Sequence, residues 1–494
     1  MTSISVSERK CFIIIMLTVV SVLTLMPAFA AEDEAEYYAL LMNGKKVGYS
    51  EHTRSRDGGK VTTSDKVVMT ISRFGTSITV TQTETYFETA GGRPLGFRSV
   101  VEMGGMAQTF TGTVKDGRVV INTDSGLGVT EDTVAFDSDI LFPEGMKLAI
   151  DQAGGIKPGA EFEFTSFVGS MKSTCKMTMR VGEKEPLVLP GGIKKLYRVE
   201  STENIAGMSV KSVSWLDDEQ RMYKTNSKIA GMDVEMMLCD KEHALSKAED
   251  FDIMRNFIIK APAGLIDKFR ENAGKITLAV ESNDTEPIRI PENDNQTVRG
   301  KGKSLSVVYK PAKPDKVVPA AYEGSDSEIL EALRPTVYVD FESEVINEMF
   351  ASIEAKATDR WGTVQMITKF VNNSINSKDL STGFATASQT AKTRRGDCTE
   401  HSVLTAALCR KAGIPCRMVL GLLYVEDYSG IESGFLGHAW NEVYVDKKWI
   451  YVDSTRPAEP GENIYIMLST SQGEPADFLD MLDSFGRFDI SSAR

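Results

Sequence analysis

Histidine is scarce in this chain: 494 residues hold four, His52, His243, His401 and His438. Chemistry that needs a side-chain proton shuttle near neutral pH therefore has few candidates. Cysteine is also sparse, with six in all, and Cys11 falls in an N-terminal segment set aside below. Cys398, Cys409 and Cys416 are spaced too widely for a structural zinc site, whose ligands pair about two to four residues apart. The odd count left after Cys11 implies at least one unpaired thiol in a disulfide-permissive compartment. A Cys175–Cys239 bridge is open, and Cys409 and Cys416 read as small core residues. Long apolar runs are scarce too, and a bilayer span needs about twenty such residues. Cys11 to Leu25 is shorter, follows Arg9 and Lys10, and precedes Ala28-Phe29-Ala30, a small-x-small cleavage pattern. Residues 1–30 thus read as a signal peptide, with an uncleaved anchor as the alternative. The expected mature protein is exported, periplasmic or secreted, with no stable membrane insertion. Positive charge is in deficit: the chain carries a net −13, and loss of Glu8, Arg9 and Lys10 makes it one unit more negative. That argues against nucleic acid or an anionic membrane as partner.

The hydrophobic content of 41% and charged content of 25% are those of a globular protein. At roughly 150 residues per domain, the length suggests two to four domains. The pattern divides into a β-rich region (31–245), a connecting region with a Pro/Lys linker (246–316) and a C-terminal domain (317–494). The expected class is α+β and multidomain. Between 36 and about 240, short alternating runs recur between tight turns, as antiparallel meanders do. Asn43-Gly44 joins Tyr37–Met42 to Lys46–Tyr49, the strongest short hairpin signal. Val80 to Phe110 and Val210 to Met237 share one order, with Gly-Met turns at Gly105-Met106 and Gly231-Met232. They read as two related meanders of a twisted sheet or partial barrel. His52 is expected on an exposed, charged strand edge, and His243 in a solvated lead-in.

From Glu249 to Phe269 the pattern turns helical, and strands follow at Ile276–Val280 and Leu305–Tyr309. The run Lys310 to Lys316, with Pro311 and Pro314, reads as a stiff linker and the main domain boundary. Beyond it, Val345, Ile346, Met349, Phe350 and Ile353 recur at helical spacing. So do Trp361, Val364, Ile367, Val371 and Ile375, with Trp361 as a core anchor.

The chemistry concentrates near the C-terminus. Gly396-Asp397-Cys398-Thr399-Glu400-His401 places Asp397 and Glu400 at capping-box spacing, with Cys398 in the first turn of the helix they open. The partial positive charge there favours a thiolate, and the free N–H groups can receive an oxyanion. His438, Trp440, Glu442 and Tyr444 share one strand face; Trp449, Tyr451 and Asp453 share one face of the next. A turn centred on Asp446-Lys447 makes paired numbers sum to 893. Asp453 then stands opposite Trp440 and diagonal to His438, within reach of its imidazole. A slip of one residue would separate them. Nucleophile, base and orienting carboxylate follow as Cys398, His438 and Asp453. His401 is the rival base, and Glu400 reads as a cap.

At these residues the chain resembles the transglutaminase-like superfamily, from about Tyr338 to Pro457. The resemblance rests on Gly396-Asp397-Cys398, Gly413-Ile414-Pro415-Cys416-Arg417, Gly437-His438-Ala439-Trp440-Asn441-Glu442-Val443 and the strand ending at Asp453. It implies a papain-like α+β core with the thiol on a helix packed against an antiparallel sheet. It also implies Cys398 as nucleophile, His438 as general base and Asp453 as its partner. Animal crosslinking members carry Gly-Gln-Cys-Trp where this chain has Gly-Asp-Cys-Thr, which weighs against amine crosslinking. Bacterial relatives with this core look like peptidases or amidases as often as transferases. The expectation is a cysteine hydrolase acting on a protein or peptide substrate, with no metal or organic cofactor. A protein-glutamine transamidase and a non-catalytic envelope binding module are the alternatives.

Overall fold

The computed structural model describes residues 35–494 except 74, 104–105, 125–128, 206–207, 230, 284–286, 354–358, 378–384, 429, 458–461 and 474–485. The expected signal peptide and Gly105 lie outside the described residues. Two compact units divide the described chain, one ending at Asp252 and the other running from Ile253 to Arg494.

The first unit is built on one antiparallel sheet. Its strands are β1 (Ala35–Met42), β2 (Lys45–Asp57), β3 (Lys60–Arg73), β4 (Thr76–Thr89), β5 (Pro94–Met103), β6 (Met106–Lys115) and β7 (Arg118–Asp124). The rest are β8 (Val129–Ala135), β9 (Glu161–Val168), β10 (Ser173–Leu189), β11 (Gly192–Ile205), β12 (Met208–Leu216), β13 (Met222–Ile229) and β14 (Met232–Cys239). The order runs from β8 down to β1, then from β14 down to β9. Both expected meanders therefore lie in a single sheet, joined where β1 pairs with β14. Asn43 and Gly44 take positive φ (47° and 78°), the twist a two-residue hairpin needs. After β8 the chain bridges Ile140 to Thr165 of β9, so the sheet curls until its two ends meet.

Helix α1 (Pro143–Gln152) is held by buried charge. Glu88 accepts the N–H groups of Glu144 and Gly145 at 2.8 and 2.9 Å. Arg54 grips the Glu144 carboxylate through Nε and Nη2 at 2.8 and 3.0 Å. A cluster of Tyr86, Phe97, Phe110, Phe136, Phe142 and Phe167 packs nearby. His52 belongs to this interior and not to an exposed edge. Alternate residues of β2 (Ser50, His52, Arg54) are buried, and Asp65 lies directly across on β3. His52 Nδ1 meets Asp65 Oδ1 at 2.5 Å, so a charged-looking strand is satisfied from its neighbour.

The short helix α2 (Lys241–Leu245) closes the first unit, and His243 on it is exposed, as expected. The second unit opens with α3 (Ile253–Asn256), β15 (Ile259–Lys260) and α4 (Leu265–Glu271). The helical pattern expected from Glu249 to Phe269 is thus interrupted by a strand. Ile259 and Lys260 are drawn into strand pairing with Phe435 and Gly434, and Pro262 with the left-handed Gly264 forces a new start.

Strands β16 (Ile276–Ser282), β17 (Gln296–Lys301), β18 (Ser304–Tyr309) and a late β23 (Phe488–Ala493) form a sheet in the order β17-β18-β16-β23. The second sheet runs β15-β20-β19-β22, from β19 (Cys416–Tyr428), β20 (Ile431–Val445) and β22 (Tyr465–Ser471), with β21 (Lys448–Val452) beside β20. Helices α5 (Ser327–Glu331), α6 (Glu344–Ala351), α7 (Arg360–Ser374), α8 (Ala387–Thr393) and α9 (Cys398–Lys411) complete the unit. Val364, Ile367 and Val371 are buried as their spacing predicts, whereas Trp361 is half-buried and not a full core anchor. The Lys310–Lys316 run lies inside this unit. Its backbone is pinned: Lys310 N–H bonds to Asn295 O, and the N–H groups of Asp315 and Lys316 bond to Asp446 Oδ2. Prolines and lysines make the run extended, but these bonds keep it from acting as a hinge.

Candidate active site

Helix α9 begins as its sequence dictates. Asp397 accepts from the N–H of Thr399 at 3.2 Å, and Glu400 Oε2 accepts from the Asp397 N–H at 3.1 Å, closing the capping box. Glu400 is therefore a cap. Its other oxygen takes the Ala385 N–H at 3.2 Å. Gly396 sits at φ +147°, and a Cβ there would stand 2.4 Å from Glu400 Cβ, so the close turn into the helix needs glycine. Cys398 is the first residue of the helix and is fully buried. Its carbonyl accepts from Ser402 Oγ at 2.7 Å.

His438 lies on β20 and Asp453 one residue beyond β21. The pairs Val445–Lys448, Tyr444–Trp449 and Asn441–Val452 show the register expected from the sequence, with numbers summing to 893. Asp446 and Lys447 both take positive φ in the turn. The consequence is direct: His438 Nε2 lies 2.7 Å from Asp453 Oδ2, with both side chains buried. Burial would raise the Asp453 carboxyl. The His438 charge and the hydrogen bonds from His438 and Thr455 outweigh it, holding the group well below the usual carboxylate range.

Hydrogen bonds from α9 lock the same frame. Asn441, three residues past His438, donates Nδ2–H to Ser402 O at 3.0 Å. Ser454, next to Asp453, donates to His401 O at 3.3 Å and accepts from Thr405 Oγ1 at 2.9 Å. Helix, histidine strand and aspartate are thus fixed to one another by bonds adjacent to each member. His401 Nδ1 donates to the carbonyl of Asp397, the residue before Cys398, at 2.7 Å.

Several contributors carry no local signal in the sequence. Tyr465, on β22, donates its hydroxyl to Asp453 Oδ2 at 3.0 Å. Its ring is stacked near the His438 imidazole at 6.4 Å and 20°. Thr455 gives both N–H and Oγ1–H to Asp453 Oδ1 at 2.9 and 2.6 Å. Trp440, Tyr451 and Tyr309 extend the aromatic wall, with Trp440 4.8 Å from Tyr465. Gly421 on β19 lets this wall form, because a Cβ there would meet Ile466 O at 2.0 Å and Trp440 Cη2 at 2.9 Å. The two other C-terminal cysteines, Cys409 and Cys416, are buried, and no disulfide joins cysteines among the described residues. Contact with Cys416 and burial push the Cys409 thiol well up, as suits a core residue. Among the described residues no cluster of His, Cys, Asp and Glu could hold a metal.

Residues 347–454 match the family described as the transglutaminase-like superfamily. Kyphoscoliosis peptidase from Homo sapiens is 36% identical over 66 residues, which is 13% of this chain. The match spans 10% of that protein's length. Among solved structures, a protein from Cytophaga hutchinsonii described provisionally as a cysteine protease is 18% identical, with a TM-score of 0.31. That likeness covers 44% of this chain and 87% of the other. A β-barrel-like domain of unknown function from Brucella abortus is 14% identical, with a TM-score of 0.33, covering 42% of this chain and 95% of that one.

Proposed function

The second unit carries a transglutaminase-like segment over residues 347–454, and we propose that it is a thiol acyl-transfer enzyme, most simply a peptidase or amidase. The reading rests on one observation: a buried imidazole held 2.7 Å from a buried carboxylate, on strands bonded to the helix whose first residue is a cysteine. Cys398 attacks an amide or peptide carbonyl. His438 takes the thiol proton and returns it to the leaving amine, and Asp453 keeps the ring oriented. Asp453 engages Nε2, so Nδ1 is the ring nitrogen assigned to proton transfer. The N–H groups at the start of α9 are the natural donors to the oxyanion. Water then releases the thioester.

Hydrolysis is preferred over amine transfer because Asp397 and Thr399 stand where crosslinking relatives carry glutamine and tryptophan, and both are buried here. Cys398 has no exposed surface, so substrate entry requires the residues covering it to move. The working compartment is proposed to be outside the cytoplasm, with a protein or peptide as substrate. Cys398→Ala is expected to abolish turnover of an amide substrate while leaving the fold intact; undiminished turnover would end the proposal. Adding a primary amine separates the two acyl acceptors, since a hydrolase keeps giving free acid as its main product.

A further inference from the structure

The β17-β18-β16-β23 sheet has two unlike faces. Leu278, Val307 and Tyr309 are buried, and Tyr309 reaches Tyr465 at 6.3 Å, against the aromatic wall behind His438. The other face opens into a cleft of about 550 Å³. Its floor carries short hydroxyl side chains on the central strands, Thr277 on β16 and Ser304 and Ser306 on β18, with Val308 among them opposite Thr277. Register sets cations around that floor. Arg299, on the edge strand β17, pairs with Ser306. Lys275 precedes β16, and Arg494 follows β23, bonded through its backbone to Thr277 in both directions at 2.8 and 2.9 Å. Among the described residues no carboxylate pairs with Lys275, Arg299 or Arg494. Glu281 pairs across from the lining residue Ser304 at the end of β16 away from Lys275, where its carboxylate accepts from Ser491 Oγ at 3.1 Å; it is not itself a lining residue.

Two unpaired cations, Lys275 and Arg299, with the Arg494 guanidinium beside them next to its own terminal carboxylate, stand out around this trough in a chain of net charge −13. From this arrangement we infer that the cleft binds an extended acidic peptide segment. Strands two places apart in a sheet are separated by about 10 Å, and Arg299 lies level with Ala279, four residues along from Lys275, so these two cations stand roughly 16 Å apart, a spacing a single small anion cannot bridge. Carboxylates about five residues apart on an extended chain, at about 3.3 Å per residue, do bridge it. Guanidinium groups match carboxylates with paired hydrogen bonds, and the hydroxyls can bond the peptide backbone. No aromatic side chain lines the cleft, so it offers no stacking platform for nucleic-acid bases. The site lies on the opposite sheet face from the aromatic wall, and its occupation does not depend on the thiol chemistry.

The test uses the full chain and a fluorescein-labelled hexaglutamate peptide, read by anisotropy at low salt. Wild type and Cys398→Ala are expected to bind it alike, with affinity falling as salt rises. The double variant Lys275→Glu/Arg299→Glu is expected to bind at least tenfold more weakly, and Arg299→Gln about threefold more weakly. Reversal of the exposed Lys369 on α7 should change nothing. Equal affinity in wild type and the double variant overturns the site. So does hexaglutamine binding as tightly as hexaglutamate, and a single-stranded oligonucleotide binding better than the peptide overturns the assigned ligand. Loss of hydrolysis in Cys398→Ala bears only on the catalytic reading, so the two can fail separately.

Discussion

Asp453 receives hydrogen bonds from His438, Tyr465 and both donors of Thr455, and its charge is what aims the imidazole. Because its carboxyl is held below the usual range, its contribution is fully present above about pH 4 and is lost only as pH falls through the lowered folded value. Asp453→Asn is expected to reduce kcat by roughly 10²–10⁴ with little change in KM, as removal of a triad carboxylate does. A loss below twofold would show that the pair does not serve catalysis. Tyr465→Phe removes one neutral donor to a charged acceptor, so a three- to tenfold loss in kcat is expected at unchanged circular dichroism. Steady-state kinetics on both variants checks the order of these effects. The helix start at Cys398 and the meeting of His438 with Asp453 are legible because each rests on a short local pattern. Tyr465 and Thr455 are not, since a lone tyrosine on a later strand announces no partner. Glu203 shows the opposite electrostatics: fully buried on β11, it is pushed up to about 8 by burial alone. Between about pH 4.5 and 8 only the native state holds this proton, so stability falls across that window and the loss is complete as pH rises through about 8. Glu203→Gln should be stabilised relative to wild type at pH 9 but not at pH 4. A difference on the order of 5 kcal/mol between those limits is expected from chemical unfolding, and parallel pH curves would refute it.

At the scale of elements, local turn chemistry decides where the sequence speaks clearly. Asn43-Gly44 and Asp446-Lys447 each bring two residues of positive φ to a two-residue turn, and the register of β20 on β21 follows from the second. That register is the reason His438 and Asp453 meet. The capping box at Asp397 and Glu400 was equally local, and it sets the first turn of α9. Pairing partners far along the chain were not legible. Ile259 and Lys260 look helical beside Phe257, yet β20 recruits them as a strand. His52 looks exposed among Glu51, Thr53 and Arg54, yet the curl of the sheet turns its face inward onto Asp65. Burial lowers the His52 pKa and Asp65 raises it, with Asp65 prevailing.

On the scale of the whole molecule, the chain divides at Asp252 and not at the Pro/Lys run. Composition could flag Lys310–Lys316 as extended, but not that Asn295 and Asp446 would tie it down. The fourteen-strand order of the first unit depends on β1 meeting β14 about two hundred residues away, a pairing invisible in any local window. The transglutaminase-like motifs, by contrast, sit within one stretch of the second unit and were read from the sequence directly. The central claim is that Cys398 forms a covalent bond to the acyl group of an amide substrate. Mass spectrometry after a brief incubation of the full chain with a mixed peptide pool, quenched in acid, tests it most directly. An acyl adduct is expected on the peptide containing Cys398, released by hydroxylamine and missing in Cys398→Ala. An unmodified Cys398 during demonstrated amide turnover, or an adduct confined to Cys409 or Cys416, would contradict it.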